Sequence, residues 1–137
     1  MVADLYHYGH MRWIDNIYKT FIKNTNNKLF VGVHNDKTAH NYKRFPIMTM
    51  KERILTLSYN PYIDKIIPNA PINVSKKYIN KHKLDIICIP NNRTNEEIKY
   101  MYEIPFELNM IRKLDYTDTI STSEIIQRIK NRTDLDS

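Results

Sequence analysis

Apolar positions along the chain follow two alternating rhythms. Met11, Ile14, Tyr18, Phe21 and Ile22 recur at helical spacing, which predicts an amphipathic helix over residues 10 to 23 with its apolar stripe against a sheet. After the polar break Asn24 to Asn27, the short run Lys28 to Val33 suits a buried parallel strand. Residues 35 to 48 have no period and read as a loop. Thr49-Met50-Lys51-Glu52 is a capping box, so a helix is expected from Thr49 to about Tyr59, stopped by Asn60-Pro61. Ile63 to Ile67 reads as a strand, Ser75 as the cap of a helix to about Lys81, and Asp85 to Ile89 as another buried strand. Thr94 and Glu97 form a second box, for a helix to about Tyr102, and Met110 to Leu114 is a weaker strand. Ser121 with Glu124 makes a third box, opening a helix with Ile125, Ile126 and Ile129 on one face. This alternation predicts one α/β domain over residues 1–137, a Rossmann-like open parallel sheet with helices on both faces and ligands at the carboxyl ends of its strands.

Composition narrows the partners. The net charge of +6 admits nucleic acid, an anionic membrane surface or a small polyphosphate. The lysines are scattered rather than gathered into a basic stripe, which argues against nucleic acid. With 2 glycines the chain has no glycine-rich phosphate loop of either common type, so phosphate must be held by helix termini and side chains. The single cysteine, Cys88, sits in the apolar run Ile86 to Ile89 and reads as a core thiol in a reducing, cytoplasmic compartment. No apolar run is long enough to span a bilayer, and no signal peptide is evident, so a soluble protein is expected.

The stretch Asp4-Leu5-Tyr6-His7-Tyr8-Gly9-His10 runs directly into the first helix. A helix start offers unpaired N–H groups and the positive end of its dipole, and Gly9 lets the backbone come close to an anion. A spacing of three places His7 and His10 on neighbouring positions of one turn, where both imidazoles can serve one phosphate and stabilise charge building on phosphorus. The bland alternative is that one histidine caps the helix and the other is solvated.

His7-Tyr8-Gly9-His10, then Gly32 to Asp36, His40 to Arg44, Glu52-Arg53, Tyr62 to Asp64 with Asn69-Ala70-Pro71, and Ile120 to Ser123 occur in one order. That order resembles the choline-phosphate and ethanolamine-phosphate cytidylyltransferases, members of the H-x-G-H nucleotidyltransferases, from Asp4 to about Lys130. The resemblance implies attack of an alcohol phosphate, ethanolamine phosphate or choline phosphate first, on the α-phosphorus of CTP, with pyrophosphate leaving and no covalent enzyme intermediate. It implies catalytic roles for His7, His10 and Lys43, and nucleotide binding by Asp4, Gly9, Asp36, Thr117, Thr119, Ile120, Ser121, Thr122 and Ser123. Mg2+ is implied with the triphosphate, Asp4 being either its ligand or a fixer of loop geometry, and Asp36 either binds or caps. A homodimer is implied too, with contacts near the first helix and the Tyr62 to Pro71 segment.

Several positions depart from the family pattern. Tyr116 stands where the signature before Ile120 has arginine, and Thr119 where it has glycine; Arg44, Arg112 and Lys113 are the candidates to replace the lost guanidinium. Ile89 to Asn92 replaces a histidine and acidic loop, and Ile72 replaces a tryptophan that helps hold choline. The strand expected ahead of the H-x-G-H loop is missing, because the sequence starts at Met1-Val2-Ala3-Asp4. A sheet of roughly five strands is therefore expected, or four if the gap is real. The catalytically degenerate alternative is a nucleotide-binding or interaction module of the same fold.

Overall fold

A computed structural model describes residues 1–136. The first helix, α1, covers Tyr8–Ile17 and is followed without a break by a π-helical turn, Tyr18–Ile22, in which Lys23 N–H reaches back five residues to Tyr18 O at 2.8 Å. The helix thus begins earlier than the apolar period suggests, because its cap is a histidine. Strand β1 (Phe30–Val33) is followed by α2 (Asp36–Tyr42), where a loop was expected. Only Ala39 of α2 is buried, so no apolar period marks it; its start is set by Asn35, whose Oδ1 accepts from Thr38 N–H at 2.7 Å. Helix α3 (Met50–Ser58) opens with the expected box, Thr49 and Glu52 each accepting the other's backbone N–H. Strand β2 (Lys65–Pro68) follows.

The second half repeats the pattern with α4 (Lys76–His82) capped by Ser75, β3 (Ile87–Pro90), α5 (Asn95–Met101) opened by the Thr94 and Glu97 box, and β4 (Ile111–Leu114). A short helix absent from the sequence reading, α6 (Glu103–Glu107), carries Pro105 in its first turn, where a missing N–H costs nothing. The last helix, α7 (Thr122–Asn131), is capped by Ser121, but its box is half formed: Glu124 turns outward to Arg128 at 2.9 Å instead of back to the Ser121 backbone.

The strands are all parallel, yet they form two pairs rather than one continuous sheet. β1 lies on β2 with Val31 opposite Ile66, and β3 lies on β4 with Cys88 opposite Arg112. The core joins α1 and α3 to the first pair through Ile14, Leu57 and Val33, which are all but fully buried. Asp64 fixes the entry of both strands of that pair, its Oδ2 accepting from Leu29 N–H at 2.8 Å while its own N–H donates to Leu29 O at 2.9 Å. Gly32 is required by packing: a Cβ there would come within 2.8 Å of the Cβ of Ala70. No helix among the described residues is long and apolar enough to cross a membrane.

Candidate active site

The site is built around a strained turn. Ala3 and Leu5 both adopt the left-handed region, with φ of 57° and 46°, at a cost of about 1–2 kcal/mol each. Asp4 between them holds the turn in place. It is 4% exposed, and its two carboxylate oxygens accept from Ile47 N–H (2.7 Å) and Met48 N–H (2.9 Å). Its backbone oxygen accepts from Thr122 Oγ1 at 2.8 Å. One aspartate thereby ties together the turn before α1, the segment after α2 and the first turn of α7. These bonds give Asp4 a part in loop geometry.

That turn delivers His7 as the N-cap of α1. Gly9 N–H donates to His7 Nδ1 and His7 N–H donates to His10 Nδ1, both at 3.1 Å, so the two histidines form a reciprocal capping box in imidazole chemistry. The rings lie 3.9 Å apart, and Tyr6 stacks on the far face of the pair at 5.6 Å from His10. Because each Nδ1 accepts a main-chain N–H, each neutral ring carries its proton on Nε2. Burial lowers both pKa values, His10 to about 4 with help from its neighbour His7, so both rings are neutral near pH 7. Gly9 is obligatory for this stacking: an added Cβ would sit 2.9 Å from His7 Cε1 and 3.1 Å from Ile120 Cγ2. The capping and phosphate-facing readings of the histidines are therefore one arrangement, in which capping uses Nδ1 and leaves Nε2–H free to donate.

His7 and His10 line a cavity of about 1360 Å³ together with Asp4, Lys43, Arg44, Ser121 and Thr122. Lys43 is the C-cap of α2 and forms no ion pair among the described residues. Arg44 Nη1 donates to Ser123 Oγ at 3.0 Å, which sets a guanidinium against the first turn of α7. The other two candidates are engaged elsewhere: Arg112 with the carbonyls of Asn109 and Ile111, and Lys113 with Asn95 Oδ1. Asp36 does not line the cavity. It pairs at 2.7 Å with the fully buried Arg53, which also donates to Met48 O, Val2 O and His34 O. The side-chain cap of α2 is Asn35 and not Asp36. Thr119 bonds Tyr8 Oη at 2.9 Å, and neither it nor Thr117 lines the cavity, while Ile120 is buried against Gly9. Tyr116 does line the cavity, edge-on to Trp13 at 6.2 Å.

The cytidylyltransferase-like family model matches residues 2–128. The chain belongs to that family. Choline-phosphate cytidylyltransferase 2 of Arabidopsis thaliana is 33% identical over 131 residues, covering 93% of this chain and 42% of that protein. The choline-phosphate cytidylyltransferase of Saccharomyces cerevisiae is 32% identical over 135 residues, 93% of this chain and 30% of its own length. The ethanolamine-phosphate cytidylyltransferase of Dictyostelium discoideum is 28% identical over 131 residues, 92% of this chain and 35% of its own length. The chain thus spans less than half the length of these curated relatives. A lipopolysaccharide core biosynthesis protein from Thermoplasma volcanium shares the fold with a TM-score of 0.66 at 24% identity, over 86% of this chain and 93% of that one.

In this cytidylyltransferase-like chain little in the sequence pointed to a further cationic group of the cavity wall, beside Lys43 and Arg44. Arg93 Nη2 donates to Tyr42 Oη at 3.1 Å and Nη1 to Met101 Sδ at 3.2 Å, beside the mostly buried Tyr102. Its signal was faint, a lone arginine between two asparagines and a capping threonine. Ile72 also lines the cavity.

Proposed function

We propose that this chain is the catalytic part of a nucleotidyltransferase that moves the cytidylyl group of CTP to an alcohol phosphate. The observation that carries this reading is the histidine pair, two neutral imidazoles whose Nδ1 atoms are occupied by main-chain N–H groups and whose Nε2–H groups remain to donate. An oxygen of the acceptor's phosphate attacks the α-phosphorus, the bond to the pyrophosphate oxygen breaks, and pyrophosphate departs carrying the electron pair. No enzyme group needs to bond to phosphorus, so the protein supplies position and positive electrostatic potential. His7 and His10 donate to the non-bridging oxygens as charge builds there. Lys43 neutralises phosphates of both substrates, and the first turn of α7 with Ser121, Thr122 and Ser123 receives the nucleotide.

Arg44 takes the place of the guanidinium lost at Tyr116, since of the three candidates it alone reaches α7. The nucleotide enters as its Mg2+ salt, the ion being carried by the triphosphate. Ethanolamine phosphate and choline phosphate are the first acceptors to consider. Ile72 offers no ring face to a quaternary ammonium, which favours ethanolamine phosphate of the two. We further propose a homodimer, which sedimentation at micromolar concentration would show and a purely monomeric profile would exclude.

The test is pyrophosphate release from Mg2+ and CTP with a panel of ethanolamine, choline and glycerol phosphates. Turnover with at least one acceptor is expected, and slower reaction with ATP, GTP or UTP. Nucleotide binding without pyrophosphate release for any acceptor would replace the enzyme with a binding module.

A further inference from the structure

Strand β3 ends at Pro90, and Arg93 N–H donates back to Pro90 O at 3.4 Å, so the chain turns there and carries the Arg93 side chain to the rim of the cavity. The turn is pinned to β4 and its exit, with Asn91 N–H donating to Leu114 O at 2.9 Å and Asn91 Nδ2 to Asp115 Oδ1 at 2.7 Å. Across the cavity Tyr42 and Lys43 close α2, the helix that follows β1. The 3.1 Å bond from Arg93 Nη2 to Tyr42 Oη therefore ties the end of the second strand pair to the helix after the first, and sets a guanidinium on the wall that holds Lys43.

Arg93 is a partly buried cation without a carboxylate. It forms no ion pair among the described residues, and its Nη1 meets the sulfur of Met101. Glu97, which shares a small side pocket with Arg93 and Tyr116, is engaged as the capping-box partner of Thr94. The carboxylates that line the main cavity are Asp4 and Asp85. Asp4 is spent on the N–H groups of Ile47 and Met48, and Asp85 is exposed ahead of β3, at the opposite end of that strand from Arg93.

A ligand group that reaches this rim meets donors. The guanidinium has N–H groups beyond those given to Tyr42 and Met101, and Tyr42, which already accepts from Arg93, keeps its own O–H to give. An ammonium brings only more donors and a like charge, which is strongly disfavoured in a site partly shielded from water. A hydroxyl or carboxylate oxygen accepts from both. The phosphates of the two substrates have Lys43, Arg44, the histidine pair and the first turn of α7, which leaves Arg93 for a different part of the acceptor.

We propose that Arg93, held by Tyr42, selects the acceptor, taking alcohol phosphates whose far end carries a hydroxyl or carboxylate oxygen ahead of those whose far end is an ammonium. The inference rests on the nucleotidyltransferase reading and narrows its acceptor, ranking ethanolamine phosphate and choline phosphate behind an oxygen-ended ester. Repulsion of the wrong end and hydrogen bonds to the right one act together in such a choice.

Ethanolamine phosphate, ethylene glycol phosphate and phosphoglycolate share one phosphate and one chain length and differ in the far end alone. For each ester, kcat/KM is measured with CTP and Mg2+, and Kd is measured by calorimetry in the presence of CMP, so that the ranking does not depend on turnover. Ethylene glycol phosphate or phosphoglycolate is expected to exceed ethanolamine phosphate by about 10-fold or more on both scales, and comparing the first two tells hydroxyl from carboxylate. Arg93→Met is expected to bring that ratio within about 3-fold, and Arg93→Glu to reverse it. Tyr42→Phe, which removes the oxygen that holds the guanidinium, narrows the ratio too and serves if the Arg93 variants fail to fold. A wild type that prefers ethanolamine phosphate overturns the proposal, as does an unchanged ratio in variants of normal Tm. Loss of CTP affinity in Arg93→Met with the ratio kept would make Arg93 a triphosphate ligand and overturn it as well. Absence of pyrophosphate release with every ester is the failure of the nucleotidyltransferase reading, and the Kd ranking, measured apart from it, still decides the selectivity of the rim.

Discussion

Replacing Gly9 with alanine isolates the seating of the histidine pair. Gly9 has no positive φ, so alanine fits the backbone and any effect comes from what its Cβ meets. That carbon would lie 2.9 Å from His7 Cε1, 3.0 Å from His7 Nδ1 and 3.1 Å from Ile120 Cγ2, against an ordinary contact of about 3.5 Å or more. Ile120 is buried and cannot retreat far, so the His7 ring must back away by roughly half an ångström. The atom that moves is the acceptor of the 3.1 Å bond from Gly9 N–H, so the cap weakens, costing about 1 kcal/mol. Alanine is favoured over glycine inside a helix by about the same amount, so stability changes little. Catalysis is far less tolerant, since a displacement approaching 1 Å costs on the order of 100-fold. Gly9→Ala is expected to lower kcat by about 10- to 100-fold in the pyrophosphate assay, while urea unfolding stays within about 1 kcal/mol of wild type. Unchanged kcat in a normally stable variant would refute the argument that glycine is there to seat the ring.

Four further outcomes follow from the same geometry. Arg53→Met, which leaves three carbonyls and Asp36 without their buried partner, should destabilise the protein by roughly 3–5 kcal/mol in urea, and a loss under about 1 kcal/mol would contradict its place at the centre of the fold. Asp36→Asn should lower stability modestly and leave the KM for CTP unchanged, whereas a raised KM would return Asp36 to the nucleotide site. Stability should fall in acid: His10 and His34 are held at about 4 when folded against an ordinary 6.5, so the folded state binds fewer protons between those values. Their contribution is full above 6.5 and lost as pH falls toward 4, and urea midpoints equal at pH 7 and pH 5 would contradict it. Arg44→Ala should raise the KM for CTP by about 10-fold, and an unchanged KM would leave the lost guanidinium without a substitute.

The sequence made most of the fold legible through its caps. Thr49 with Glu52, Ser75, Thr94 with Glu97, and Ser121 each start a helix where the cap chemistry said, because capping is a local interaction that needs only residues a few positions apart. Helix α2 was illegible for the complementary reason, since it buries one alanine and is held by Asn35 and the buried Arg53 rather than by an apolar stripe. The division of the strands into two pairs, and the bond from Met1 to Gly32, rest on long-range contacts that no local pattern encodes. At the site, spacing and context singled out the histidine motif and Lys43, which line one cavity. The ties made by Asp4 to Ile47, Met48 and Thr122, and the meeting of Arg44 with Ser123, join positions separated by up to 118 residues and became visible only in three dimensions.

The most direct test of the histidine mechanism is the steady-state comparison of wild type with His10→Ala, using CTP, Mg2+ and the best alcohol phosphate. If the Nε2–H of His10 donates mainly to the α-phosphate as it becomes pentavalent, kcat should fall by about 100-fold or more while the Kd for CTP, measured separately, stays within a few-fold. A variant that loses CTP affinity in proportion to turnover would make His10 a ground-state binder, and one that turns over as fast as wild type would remove the imidazole pair from the chemistry.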